Sequence, residues 1–233
     1  MTELTTTGYL HNHARMWAAS IWIFTLRLPW EAGADLFMRH LLDGDPASNT
    51  LSWRWVAGLQ TQGKHYLAKA DNIARYTEGR FQPKGLVRDA PPLAGPAHPP
   101  RRALPQDGVA EPGRASAILL TEEDLSPAYL IEGAPGPILG HAGLIAVAGR
   151  SPLPVSDKVR QFTHDAMADA RARWAGRMGQ AGPSAEDPAD ILAWAQSLGV
   201  TQLITAHAPT GPAATALDRL EQGLAAAGIT LVR

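Results

Sequence analysis

Two hydrophobic rhythms divide the chain. From Tyr9 to Leu28 apolar positions are nearly continuous, with small Ala18 and Ala19 set among bulky Trp17, Ile21, Ile23 and Phe24, the pattern of a largely buried helix. Pro29 marks a boundary or opens the first turn of the next helix. Over Trp30 to Leu42, the residues Trp30, Ala34, Phe37, Met38 and Leu41 recur at spacings of three and four while Asp35 and Arg39 fall off the stripe, which predicts a second helix. Asp43-Gly44-Asp45-Pro46 stops it. A third helix is expected across Thr50 to Leu59, weakened in its last turn by Gly58, and a short one near Asp71 to Tyr76.

The rhythm changes in the second half. Ser116 to Leu120 and Gly143 to Ala148 are short apolar runs of buried-strand type, and Ser156 to Trp174 has the composition of a helix. Asp187 to Leu198 reads as a helix, Thr201 to Ala206 as a strand, Ala213 to Ala227 as an alanine-rich helix ending at Gly228, and Ile229 to Val232 as a last strand. Strand and helix in alternation are the grammar of an α/β layered domain. Between the halves, Ala90 to Pro105 holds six prolines, which block regular ladders and helices and predict a linker. The expected organisation is an all-α unit over residues 1–89, a proline-rich linker over 90–114 and a small α/β domain over 115–233.

Composition narrows the functional classes. With 233 residues, 45% of them hydrophobic, the chain can bury a substantial core, and its formal net charge of -1 marks no global nucleic-acid binder. The first 85 residues carry five of the seven tryptophans and nine Lys/Arg against seven Asp/Glu, so the slight positive excess coincides with the tryptophan-rich part. No cysteine is present, which removes disulfides, thiolate nucleophiles and Cys-ligated metals, and fits a cytoplasmic protein. Met16 to Leu26, the most apolar stretch, is too short to span a membrane and is bracketed by Arg15 and Arg27. The histidines lack metal-ligand spacing, and Asp43, Asp45 and Asn49 lack the further oxygen ligands and closing Glu of a calcium loop, so no metal is expected.

The chemistry concentrates in two blocks. The first is Gly8-Tyr9-Leu10-His11-Asn12-His13-Ala14-Arg15-Met16; the second runs from Leu41 through Asp43-Gly44-Asp45-Pro46 and Asn49 to Trp53-Arg54-Trp55. A carboxylate paired with a guanidinium stays satisfied when buried, an asparagine can donate or accept as its partner's protonation changes, and tryptophans offer aromatic stations for an electron. Taken alone, Arg15 and Asp43 could equally be a helix-terminal ion pair, and the tryptophans core residues. In this order, with Leu28-Pro29-Trp30 between them, the blocks resemble the C-terminal part of the flavin-binding helical domain of DNA photolyases and cryptochromes, a resemblance that covers residues 8–85.

The resemblance implies FAD as cofactor and a role for each matching residue. Asn12 would lie beside flavin and lesion, Arg15 against the isoalloxazine and paired with Asp43, Asp45 at the flavin edge or ribityl region, and Asn49 facing N5. Trp53 would be the tryptophan next to the flavin and Trp30 the next relay member. Met16 would lie near the lesion pocket and Trp55 beside it. His13 stands where the family commonly has a phosphate-contacting arginine, a departure that weakens the expected DNA contact. His11-Asn12 also differs from the double histidine of the (6-4) class. The implied activity is light-driven repair of cyclobutane pyrimidine dimers by a deoxyribodipyrimidine photolyase-type lyase, with damaged DNA as partner.

The family's helical domain normally begins well upstream of the first block, and its α/β antenna-like domain precedes the helical one. Here the α/β pattern follows it, with Asp190 to Val232 faintly similar to part of an antenna domain. The expectation is therefore a truncated relative whose pocket a second polypeptide would complete. The alternative is a noncatalytic DNA- or protein-interaction remnant without flavin. Ser184 and His207 have no evident catalytic partner in the sequence, so no triad is assigned.

Overall fold

The computed structural model describes all residues, 1–233. An N-terminal all-α segment is followed by a mixed α/β domain, and the chain divides into two compact units, Met1–Arg101 and Arg102–Arg233.

The first unit contains α1 (Thr2–Thr7), α2 (Asn12–Ser20), α3 (Trp30–His40), α4 (Pro46–Ala57) and α5 (Ala70–Tyr76). The long apolar run does not remain α-helical. Beyond α2, residues Ile21–Thr25 form a π-helical turn in which Leu26 N–H donates to the Ile21 carbonyl at 2.8 Å, and Arg27 at φ 57° ends it. Such a turn holds an extra residue in the helix and is often found at functional sites. Helix α3 buries Ala34, Phe37 and Met38 as the stripe predicts, and Leu41 at 1% exposure packs as the chain leaves the helix in extended conformation. Helix α4 starts four residues earlier than Thr50. Asp45 is its N-cap, accepting from Ser48 N–H, and Pro46 occupies the first turn, where its missing N–H costs nothing. Gly58, at φ 84°, is the left-handed residue that closes α4 and lets Leu59 N–H reach the Arg54 carbonyl at 2.8 Å.

The second unit is a five-stranded, all-parallel sheet in the order β3-β2-β1-β4-β5. In chain order its elements are β1 (Ser116–Thr121), α6 (Ala128–Gly133), β2 (Ile138–Leu144), α7 (Asp157–Trp174), β3 (Gln180–Ala185), α8 (Pro188–Leu198), β4 (Gln202–Thr205), α9 (Pro212–Ala226) and β5 (Thr230–Val232). Central β1 is buried throughout, as a parallel strand covered on both faces must be. Ala117 and Leu119 pack with Ile191, Ala195, Leu217 and Leu220 of α8 and α9. On the opposite face, Gly143 of β2 makes room for Met167 of α7.

Sequence patterning misplaces one strand and misses another. The apolar run Gly143 to Ala148 is only the end of β2, which starts at Ile138, and Val147–Arg150 is a 3-10 turn. Pro137, Gly140 and His141 mask the start of that strand. Edge strand β3 carries a glycine and a proline within Gln-Ala-Gly-Pro-Ser-Ala, which an edge tolerates and a propensity reading rejects. The short helices α1 and α6 were also not expected. In the proline-rich stretch, Leu93 N–H donates to the Ala57 carbonyl at 2.9 Å in the first unit, whereas Gly108 N–H donates to the Arg233 carbonyl at 2.6 Å in the second.

Candidate functional site in the helical unit

Two helices present stripes of mixed polar and apolar residues to a shared cleft. Asn12, Arg15, Met16 and Ala19 recur at helical spacing on α2, and Ser48, Asn49, Ser52, Trp53 and Val56 do so on α4. Between them lies a cleft of about 440 Å³, floored by Phe37 and Leu41 and closed at one end by the Asp43-Gly44-Asp45 turn. A volume of this size falls within the roughly 300–1,000 Å³ usual for small-molecule and cofactor sites. Eight of the ten residues singled out in the sequence line it: Asn12, Arg15, Met16, Asp43, Asp45, Asn49, Trp53 and Trp55.

Arg15 is fixed from two sides. Its Nε–H donates to the Leu10 carbonyl at 2.7 Å, and Nη2 donates to both carboxylate oxygens of Asp43 at 2.9 and 2.8 Å. Asn49 is buried, and its side-chain amide donates to the Ala34 carbonyl at 2.9 Å, so a backbone contact sets which end of the amide is the free acceptor. Asp45 uses one carboxylate oxygen to cap α4. Asn12, in the first turn of α2, is exposed, Met16 is half-buried, and Trp55 is 39% exposed with its ring stacked on Tyr66.

Trp53 is 3% exposed, and its indole N–H is buried without an acceptor in the chain. Its ring meets Phe37 edge-on at 5.0 Å and Trp22 edge-on at 6.3 Å between centroids. Gly33 of α3 allows this packing, because a Cβ there would run into the indole. Trp22, Gly33 and Phe37 were not singled out as site residues. The signal for two of them was in the sequence, since Gly33 and Phe37 lie four apart on the buried face of α3.

The remaining two residues lie elsewhere. Trp30 is half-buried in a separate groove with Arg27 and Leu28, and the Arg54 guanidinium stands 5.7 Å from its ring centroid. His13 faces a groove of about 980 Å³, stacked on Trp17 at 5.8 Å and tilted against Tyr76 at 5.0 Å, with Arg80 and Phe81 also lining it. Trp17, expected in the core, is half-buried and donates from Nε1 to Asn72 at 3.0 Å.

The α/β unit assembles no comparable set. Ser184 accepts from Arg171, while His207 lies 3.6 Å from Asp107. Ser184 is on edge strand β3 and His207 follows β4, with β2 and β1 between those strands, which keeps the two side chains apart. Burial and then the Arg171 guanidinium push the His141 imidazole below its ordinary range, and burial raises the Glu122 carboxyl although it accepts from Ala146 N–H at 2.9 and 3.0 Å. No cluster of three or more His, Asp or Glu side chains is arranged to hold a metal, and no helix is long and apolar enough to cross a membrane.

Residues 1–85, which include both helices of the cleft, match the family model for the FAD binding domain of DNA photolyase. The deoxyribodipyrimidine photo-lyase of Streptomyces griseus is 41% identical over 85 residues, which are 31% of this chain and 19% of that protein. The enzyme of the same name from Salmonella typhimurium is 39% identical over 115 residues, 47% of this chain and 24% of its own length. That of Thermus thermophilus is 39% identical over 93 residues, covering 39% and 22%. Residues 1–85 are thus homologous to part of the FAD-binding domain of the photolyase/cryptochrome family, and the chain spans about a fifth of the length of these relatives. No solved structure matches the chain.

Proposed function

We propose that the cleft between α2 and α4 holds the isoalloxazine of FAD and that the chain is a photolyase-type flavoprotein, related to light-driven repair of cyclobutane pyrimidine dimers. The observation that carries this reading is the convergence on one cleft of the Arg15–Asp43 pair, the anchored Asn49 amide and the buried Trp53 indole, whose N–H lacks an acceptor. Bound FAD would supply light absorption and one-electron chemistry.

The chain's own residues would do the rest. Arg15, held by Asp43, offers a fixed positive charge to the polar edge of the ring. Asn49, anchored through its amide, presents an acceptor for a proton at N5, and an amide does this without acquiring charge. Asp45 keeps a second carboxylate oxygen for a flavin or ribityl hydrogen bond. Asn12, Met16 and Trp55 line the cleft, where an unstacked pyrimidine pair of damaged DNA would enter, while His13, in the neighbouring groove, would meet the phosphates. Exposed Trp55 and Leu51 at this cleft are also apolar surface that a second polypeptide could cover in completing the pocket.

The alternative is a DNA- or protein-interaction module without flavin. It draws on the groove of His13, where Tyr76 and Phe81 are exposed beside Arg80, a pairing of π-faces and positive charge that suits bases and phosphates. The deciding measurement is the visible absorption spectrum of folded protein exposed to FAD in the dark and freed of unbound cofactor. Near-stoichiometric flavin supports the leading reading; folded protein without flavin overturns it for the isolated chain.

A further inference from the structure

The topology of the α/β unit leaves an opening at one edge of its sheet. Chain order runs outward from central β1 to β2 and β3, then crosses to β4 on the other side of β1. Loops leaving the carboxyl ends of the strands diverge at such a crossing, and open parallel sheets take their ligands in the crevice so formed. Here the segments that follow β2, β3 and β4 enclose about 600 Å³, contributing Ala146, Glu186 and Thr210 respectively to its walls. A Cβ on Gly149 would stand 3.2 Å from the Cβ of Pro212, so glycine there keeps the loop after β2 close to the first turn of α9.

Polar groups reach this space from both flanks of the sheet with bonding capacity to spare. Glu186 accepts from Arg160 Nη2 at 2.9 Å, and His164 Nε2 lies 3.0 Å from the same carboxylate oxygen, Oε1. No donor in the fold reaches Oε2, which is left as an acceptor whose charge Arg160 already offsets. Arg219 of α9 lines the cavity without an ion-pair partner, since its acidic neighbours Asp218 and Glu221 are both engaged by Arg233, at 2.9 and 2.6 Å. The Thr210 hydroxyl, also on the wall, makes no hydrogen bond to the fold. Strands β3 and β4 have β2 and β1 between them, which sets Glu186 and the Thr210–Arg219 side apart.

We propose that this cavity binds a small sugar phosphate, with its phosphate on Arg219 and Thr210 and its hydroxyls on Glu186 Oε2. A free guanidinium at one end calls for an anion, and a carboxylate with an open oxygen at the other calls for donors. Because Arg160 already neutralises Glu186, uncharged hydroxyls suit that oxygen better than an ammonium group. Ile145, Ala148 and Pro188 supply apolar wall for the C–H face of a sugar. No aromatic side chain lines the cavity, so it offers no stacking surface for a nucleobase or other planar heterocycle, which selects a polyol over a nucleotide. The site lies wholly within the second unit, and its occupancy is independent of flavin binding in the first.

The test is a titration of the full chain with ribose 5-phosphate, inorganic phosphate, ethyl phosphate and ribose, followed by amide chemical shifts. Ribose 5-phosphate should shift the amides of Ala146, Thr210 and Arg219 saturably. It should bind about tenfold or more tightly than phosphate or ribose, since it alone makes the charge-assisted contacts at both ends. R219Q, at an exposed position, should weaken ribose 5-phosphate and phosphate alike. E186Q should weaken ribose 5-phosphate and leave phosphate unchanged, a split that general damage to the fold would not give. Ethyl phosphate, which lacks the hydroxyls, should bind the parent chain no better than phosphate, and this comparison holds even if E186Q fails to fold. Shifts without saturation, or equal affinity of R219Q and the parent chain for ribose 5-phosphate, overturn the site. Equal binding of ethyl phosphate and ribose 5-phosphate overturns the assignment of a polyol.

Discussion

One guanidinium nitrogen of Arg15 reaches both carboxylate oxygens of Asp43, at 2.9 and 2.8 Å, across 28 positions of sequence. The pair ties the start of α2 to the turn between α3 and α4 and so sets the width of the cleft. Its contribution to folding is small, because the Asp43 side chain is 59% exposed and such pairs are worth roughly 0.2–1 kcal/mol. D43N should therefore lower stability by less than about 1 kcal/mol in urea unfolding. Under the proposed function it should nevertheless weaken flavin retention, since Arg15 keeps its Leu10 carbonyl contact but loses the carboxylate that balances its charge at the cleft. Equal flavin retention by D43N and the parent chain would remove the pair from the binding site.

Asp45 combines two roles that substitution can separate. D45A removes the cap of α4 and should cost about 0.5–2 kcal/mol, whereas D45N keeps an oxygen for Ser48 N–H and should cost little. Loss of flavin in D45N without loss of stability would assign the charge to ligand binding. Parallel losses in both variants would assign Asp45 to capping alone.

Gly33 is the tightest packing point around Trp53. In G33A the new Cβ would overlap the indole, which is bounded by Phe37 and Trp22, so the ring would have to shift towards the cleft it lines. Overpacking of this kind costs about 1–3 kcal/mol, and the better helix propensity of alanine returns at most roughly 1 kcal/mol. The expected result is net destabilisation accompanied by a changed tryptophan emission spectrum. A more stable G33A with unaltered emission would mean that Trp53 has room to move.

The cleft residues were legible through the resemblance of the two sequence blocks to a known family, and Asp43 to Pro46 through its turn chemistry; that Asn49 shares a helical stripe with Trp53 was hidden, because the helix was expected to start only at Thr50. What could not be read was the identity of the rings that would meet. Trp22 reads as a core residue in the sequence, and the structure sets its ring edge-on to Trp53 from the π-helical turn. That turn depends on a hydrogen-bond shift in the helix, and no residue type signals such a shift uniquely. In the α/β unit, the strands rich in Val, Ile and Leu were visible, while β3 was hidden because edge pairing outweighs the poor strand propensity of its glycine and proline.

The α/β unit should lose stability on mild acidification, and His141 gives the sign. Unfolded, its imidazole takes up a proton near pH 6.5; folded, at 2% exposure and beside Arg171, it does so only at lower pH. The unfolded state thus binds more protons between those two values. The stability present above pH about 6.5 is lost as pH falls towards the depressed folded value. Glu122 acts with the opposite sign: its raised pKa contributes stability at pH below about 4.3 that disappears as pH rises through the folded value. Since the two oppose each other on the acid side, the wild-type pH profile alone cannot assign the effect to either residue. Hydrogen exchange of β2 amides should quicken between pH 7.5 and 5.5, after correction for the intrinsic rate, and H141N should flatten that dependence. A slope in H141N as steep as that of the parent chain would place the acid sensitivity in another group.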